Sequence, residues 1–255
     1  MTSLTYVPNK NRGYRGLRVL KELEIQGVLK IVGIVTDSKL AKQAEHLKPD
    51  WGVCEGCGDW DCSQIFFSIP HRGFLNIHLS LLPKYRGVWP VIFAVINDEK
   101  MTGVTIHFLD GGINSGNIVA QEAVPIFEDD TGYDVYHRLL DLAERMMRQE
   151  MPQILLAPKV LSFRQDEERA SVYTNKAKLK KASLSWERKK LYDFARAFDF
   201  PPYEPAYVFV DGKKQHLLLR PERHEINGSG LDSISYNGQK IYMLEGSKYN
   251  HMQGI

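Results

Sequence analysis

Near its N-terminus the chain encloses an amphipathic stretch between two short strand-like runs. Gly16 to Gln26 sets Val19, Leu20 and Leu23 on one helical face, and Gly27 stops it. Leu4-Thr-Tyr-Val7 precedes this stretch, and Lys30-Ile-Val-Gly-Ile-Val-Thr36 follows it. The second run is β-branched and apolar on both faces, as a parallel strand covered on both sides must be. A strand, a helix and a returning strand favour a right-handed βαβ unit, so the expected fold class is α/β with an open, Rossmann-like sheet.

The same grammar continues. Lys39 to Leu47 has a helical pattern, and Trp51-Gly-Val-Cys54 and Gly73-Phe-Leu-Asn-Ile-His78 are further short buried strands. Pro90 suits the first helical position of Trp89 to Ile96. Gly103 to Leu109 and Asn117 to Val124 are strands joined by the glycine-rich Asp110-Gly-Gly-Ile-Asn-Ser-Gly116. Thr131-Gly-Tyr-Asp134 forms a capping box, with Asp in the usual Glu position, ahead of a helix striped by Val135, Leu139, Leu142 and Met146. Beyond Pro158 the character changes. Leu191, Phe194, Ala195 and Phe198 make an amphipathic helix stopped by Pro201-Pro202, and Asp211-Gly212 and Asn237-Gly238 then sit between strand-like runs as hairpin turns. The division expected is an α/β domain over 1–158 and a small subdomain of helix and antiparallel β-hairpins over 159–255.

Composition removes several function classes. The net charge of +2 over 255 residues lacks the basic footprint of nucleic-acid binding. The one local candidate, Lys176 to Lys190, also carries Leu179, Leu184 and Trp186 and suits a solvated surface leading into a helix. No apolar run reaches the ~18 residues of a membrane span, and the N-terminal residues lack the charged-then-apolar form of a signal peptide, so no membrane partner and a cytoplasmic location are expected. Asn9 to Gly16 contains no G-x-G-x-x-G, which argues against a dinucleotide. Cys54, Cys57 and Cys62 begin like a metal site but lack a second pair; His71 or Asp61 could complete one, yet nothing in the spacing demands it. The expectation is no metal and a reduced loop.

Side chains alternate along a strand, so Asn76 and His78 share one face while Leu75 and Ile77 take the other. Two polar groups at the C-terminal end of a strand lie where open α/β sheets place ligands. Taken alone, a histidine on a strand is usually a satisfied piece of core, and the pair would be read that way.

The surrounding run decides. Asn76-Ile-His78-Leu-Ser80-Leu81-Leu82-Pro83-Lys84-Tyr85-Arg86-Gly87 resembles the signature of the folate-dependent formyltransferases. Thr102 to Asp110, Gly116 to Glu122 and a distant Trp186, Arg196-Ala-Phe and Pro201-Pro202 follow in the family's order, so the resemblance covers roughly Gly16 to Leu219. It implies transfer of a formyl group from 10-formyltetrahydrofolate to an amine. The reaction places negative charge on the former carbonyl oxygen, and the Asn76 N–H and a protonated His78 can both donate to it. His78 can also carry a proton to the leaving nitrogen. By the same resemblance Ser80, Leu81, Leu82 and Pro83, with Asp110, Gly111, Gly112 and Ile113, hold the cofactor. Lys84, Tyr85 and Arg86 are candidates for the acceptor, since Lys and Arg suit a diphosphate.

The chain departs from the family pattern at the third catalytic position, where Asn114 stands in place of an aspartate. A carboxylate beside an imidazole raises its pKa and can accept a proton; an amide does neither. The equivalent change in a serine protease triad costs about 10⁴ in turnover. The stretch from Asp37 to Asp50 is also shorter than the family's αβ unit there, implying one strand fewer, and Cys54 to Cys62 takes the place of the pterin-facing loop. Within the family the chain looks most like the nucleotide-sugar N-formyltransferases, with a nucleotide-linked amino sugar as partner and a homodimer formed through the terminal hairpins. The alternatives are a catalytically weak homologue that binds folate or a nucleotide sugar, and a formyltetrahydrofolate hydrolase.

Overall fold

The computed structural model describes residues 1–8, 15–36, 44–55, 69–174 and 180–252. It has the expected mixed α/β architecture, a sheet flanked by helices, with a C-terminal helix and antiparallel β unit. The chain divides into two compact units, one of residues 1–90, 102–124 and 138–174, the other of residues 91–101, 125–137 and 175–255.

The first unit is built on a six-stranded sheet. Its strands are β1 (Thr2–Val7), β2 (Leu29–Ile34), β3 (Trp51–Cys54), β4 (Phe74–His78), β6 (Met101–Phe108) and β7 (Ile118–Pro125), in the order β2-β1-β3-β4-β6-β7. β1 pairs in parallel with β2 and β3, and β3 in parallel with β4, whereas β4 meets β6 antiparallel. Between β1 and β2 runs α1 (Arg15–Ile25), whose Val19, Leu20 and Leu23 are buried as the periodicity requires. The strand order reverses direction at β1, which puts β2 on one side and β3 on the other, as in doubly wound sheets. Of the expected Lys39 to Leu47 helix, residues 39–43 lie outside the described residues, and Ala44–Leu47 is a single 3-10 turn.

α2 (Pro90–Ile96) starts on its proline. α3 (Gly132–Leu156) runs through Pro152, further than the sequence pattern showed. It opens on the expected capping box: Thr131 N donates to Asp134 Oδ2 at 2.9 Å, and Asp134 N to Thr131 Oγ1 at 3.3 Å. Its far end is held by Arg72, whose guanidinium donates to Leu155 O at 2.8 Å and also to Ala157 O. Two short strands went unread in the sequence, β5 (Arg86–Gly87) and β8 (Val172–Tyr173), which pair in parallel.

The second unit carries a four-stranded antiparallel sheet of β9 (Tyr207–Val210), β10 (Lys213–Leu218), β11 (Asp232–Tyr236) and β12 (Gln239–Glu245), ordered β11-β12-β10-β9. Both hairpin turns have paired positive φ, 48° and 77° at Asp211-Gly212 and 45° and 76° at Asn237-Gly238, as the type I′ geometry demands. α4 (Arg188–Phe198) and α5 (Gly246–Met252) complete the unit. Arg196 is buried in it, donating from Nε to Asp193 at 2.9 Å and from Nη1 to Asp130 O at 3.0 Å. No helix among the described residues is long and apolar enough to cross a membrane.

Candidate active site

The antiparallel register of β4 and β6 sets Asn76 opposite His107 and His78 opposite Thr105. Cross-strand neighbours and alternate residues share a face, so these four polar side chains form one patch at the C-terminal end of β4. All four are buried. Every group in the patch therefore needs a partner, and the partners define what it can do.

His107 Nδ1 lies 2.8 Å from Phe108 O. A carbonyl only accepts, so the ring proton sits on Nδ1 and Nε2 is an acceptor. Asn76 Nδ2 donates to that Nε2 at 3.0 Å, which fixes which way the Asn76 amide faces. Burial, helped by the charge of Arg86 and opposed by the Phe108 carbonyl and Asp110, holds the His107 pKa down to about 4, so the ring is neutral near pH 7. The same logic applies to His78, whose Nε2 is 2.8 Å from Tyr85 O and must carry the proton. The two rings meet edge to face with centroids 6.3 Å apart.

Asn114 is drawn into this patch from the loop between β6 and β7. Its φ of 51° is left-handed, a conformation that Asn tolerates well among non-glycine residues. Its Oδ1 accepts from Gly87 N at 2.8 Å, leaving Nδ2 3.5 Å from His107 Nε2. Gly87 itself has φ 91°, and a Cβ there would fall 2.1 Å from Tyr173 O, so the β5–β8 pairing admits only glycine. Gly116 closes the other end of the loop, where a Cβ would fall 1.9 Å from Phe108 O.

The motif loop after β4 is held from within. Thr105 Oγ1 donates to Ser80 O at 2.6 Å and accepts from Leu82 N at 3.2 Å and Gln121 Nε2 at 2.8 Å. Ser80 Oγ donates to Lys84 O at 2.8 Å. Leu82 is buried, Leu81 and Pro83 are partly exposed, and Lys84 is exposed. Tyr85 is buried, stacked on Tyr173 with centroids 5.7 Å apart. Arg86 also turns inward. Its Nε and Nη2 donate to Gln165 Oε1 at 3.0 and 2.8 Å, and its Nη1 and Nη2 to Glu167 at 2.8 and 2.7 Å. Of the three acceptor candidates, the structure thus leaves Lys84 alone on the surface. Asp110, Gly111, Gly112 and Ile113 form an exposed rim, braced by Asp110 accepting from Gly112 N at 3.0 Å and Ser115 Oγ at 2.9 Å.

Cys54 corrects one expectation. Its sulfur is disulfide-bonded rather than reduced. It carries no hydrogen, so its 3.2 Å approach to Asn76 Oδ1 is a contact and not a hydrogen bond. Cys57, Asp61 and Cys62 lie outside the described residues, and no group of three or more His, Cys, Asp or Glu among the described residues could hold a metal.

The structure brings Asn76, His78 and Asn114 together as the motif implied, and adds His107, Thr105, Gln121 and Gln165. The first two had a signal in the sequence, since period-2 alternation along Gly103 to Leu109 puts Thr105 and His107 on one face. Gln121 and Gln165 had none.

The formyl transferase family model matches residues 33–151. The chain is 35% identical over 180 residues to the methionyl-tRNA formyltransferase of Methylacidiphilum infernorum, covering 70% of this chain and 55% of that protein. It is 34% identical over 153 residues to the GDP-perosamine N-formyltransferase of Brucella melitensis, covering 60% of this chain and 58% of that one. It thus spans little more than half the length of these relatives. Its fold is similar to that of the N-formyltransferase from Helicobacter canadensis, solved with folinic acid and dTDP-3-aminofucose: the TM-score is 0.67 at 20% identity, covering 96% of this chain and 100% of that chain. These matches relate the chain to the folate-dependent formyltransferase family, to its tRNA and its sugar formyltransferases alike.

Proposed function

We propose that this chain transfers a formyl group from 10-formyltetrahydrofolate to the amine of a nucleotide-linked amino sugar, with residues 1–158 carrying the chemistry and the hairpins of residues 159–255 pairing two copies. The observation that carries the proposal is the pair Asn76 and His78, side by side at the end of β4, each with one hydrogen-bonding edge fixed by a neighbour.

One amide hydrogen of Asn76 is spent on His107, and the second is the donor for the negative charge that develops on the formyl oxygen. His78 keeps its proton on Nε2 against Tyr85 O, so Nδ1 is the nitrogen that takes the proton shed by the attacking amine and returns it to the leaving nitrogen. Asn114 holds the Gly87 amide and has no basic atom to share in that transfer. The exposed rim Asp110, Gly111, Gly112 and Ile113 suits a folate, offering a carboxylate, backbone amides and a half-exposed apolar side chain to a ring that is both polar-edged and flat. Bound there, the folate supplies the formyl carbon. Ser80, Leu81, Leu82 and Pro83 border the same patch, and Lys84 is the exposed cation for a diphosphate.

A sugar acceptor is favoured over tRNA by the modest net charge of +2 over these 255 residues. The Helicobacter canadensis structure, solved with a dTDP-linked amino sugar, supports the same choice. The test is tetrahydrofolate release from 10-formyltetrahydrofolate, with and without a panel of nucleotide-linked amino sugars. Release that depends on an amino sugar is expected, falling by about 10²- to 10³-fold in Asn76→Ala. Formate released without acceptor would identify a hydrolase, and formylation of methionyl-tRNA would move the chain to the other branch. Binding without turnover would make it a ligand-binding homologue, the reading that Asn114 favours.

A further inference from the structure

His107 has no role in the motif, yet the reacting patch is organised around its Nε2. The ring is fully buried on β6, directly across from Asn76. Its Nδ1 hydrogen is committed to Phe108 O at 2.8 Å, and two amide nitrogens meet its other nitrogen, Asn76 Nδ2 at 3.0 Å and Asn114 Nδ2 at 3.5 Å. The second of these is oriented independently, because Gly87 N claims Asn114 Oδ1 at 2.8 Å and turns the amide nitrogen toward the ring.

We propose that His107 is a positioning residue that holds the Asn76 amide with an N–H directed at the reacting oxygen, and that Asn114 is the partner that keeps His107 Nε2 an acceptor. The proposal rests on the formyltransferase reading. If Nε2 carried a hydrogen, it would confront the Asn76 N–H donor to donor. The amide would turn over and present its carbonyl oxygen where negative charge has to be stabilised. The charged groups that bear on the ring are Asp110, which favours the imidazolium, and Arg86, which with burial disfavours it; the His78 ring faces it edge-on. A carboxylate at position 114 would shift that balance. With one oxygen on Gly87 N, its other oxygen would face the Nε2 lone pair and draw a proton onto it. Asn114 is then no simple loss of a catalytic group, because it matches a site that needs a neutral ring.

The experiment follows the histidine nitrogens by long-range proton–nitrogen NMR in the full-length chain, alongside formyl transfer. In the native chain His107 is expected unprotonated at Nε2 at pH 7. In Asn114→Asp the titration midpoint of His107 should rise by about one to three pH units. His107→Phe, which cannot accept a hydrogen bond, should lower kcat by about 10- to 100-fold with both KM values little changed. His107→Gln, whose carbonyl can accept the Asn76 N–H, should restore most of the loss. A native His107 protonated at Nε2, an unmoved midpoint in Asn114→Asp, or a folded His107→Phe as fast as the native chain would each overturn the proposal. So would His107→Gln performing no better than His107→Phe. If the native chain turns over no acceptor, the functional reading fails by itself, and the protonation of His107 in the two proteins still decides the positioning.

Discussion

Gln165 spends all its hydrogen-bonding capacity on one task. Its Nε2 donates to Asn114 O at 2.8 Å and Gly116 O at 2.7 Å, and its Oε1 accepts two bonds from Arg86. The loop bearing Asn114 is therefore clamped to the motif loop bearing Arg86, with Glu167 completing the guanidinium from the surface. Gln165→Leu keeps the bulk and removes the polar atoms, leaving two carbonyls and one edge of a buried cation unpaired. Urea denaturation should show a loss of about 3 kcal/mol; a loss under about 1 kcal/mol would mean that water or a shifted Glu167 takes over. At this scale the sequence was uneven. Asn76 and His78 were legible because a strand sorts its side chains with period two, and His107 and Thr105 obey the same rule one strand away. Gln165 was not, since it acts 51 residues from Asn114 out of a segment with no periodicity of its own. Arg86 was legible as a cation beside the site, but the carboxylate that turns it inward comes from that same segment.

Elements were read best where a local signal fixes backbone geometry. Asp211-Gly212 and Asn237-Gly238 became the turns they promised because few other residues accept two successive positive φ values. The Thr131 capping box likewise formed around Asp134, with Arg223 adding bonds of 3.1 Å to Thr131 Oγ1 and 2.7 Å to Asp134 Oδ1. Thr131→Val removes the hydroxyl and keeps the shape, and should cost about 1 kcal/mol in thermal or chemical unfolding. An unchanged midpoint would mean that Arg223 and the backbone N–H of residue 131 hold the Asp134 carboxylate without the hydroxyl. What the sequence hid were elements made by distant contacts. β5 and β8 are two residues each and exist only as a pair. α3 continues past Pro152, against the usual cost of a proline, and the guanidinium of Arg72 caps its last carbonyls from a turn more than eighty residues earlier.

Across the whole molecule, one buried histidine in each unit links stability to pH. His107 lies in the first unit and His216 in the second, each fully buried and each held down to about 4 from an ordinary 6.5. The dominant cause is burial for both. For His216, the positive charge of Lys214 adds to it, and Glu204 and the Pro205 carbonyl oppose it. A histidine whose folded pKa is depressed binds its proton more readily in the unfolded chain. Between pH 6.5 and 4 the unfolded state therefore holds more protons, and stability rises with pH across that window. Full passage through the window costs on the order of 3 kcal/mol per histidine as pH falls, and below pH 4 the loss levels off. Carboxylates act lower down: Asp50, kept below its usual value by the Ser3 backbone amide and hydroxyl against its own burial, loses its contribution only as pH falls through that lowered value. Urea denaturation at pH 7 and pH 4.5 separates the two classes, because most of the histidine effect falls between those values. The native chain should lose several kcal/mol over that step. His107→Gln and His216→Phe, each compared with itself at the two pH values, should each shed roughly half of the loss, and the double variant nearly all of it. A double variant as acid-sensitive as the native chain would place the sensitivity in the carboxylates instead.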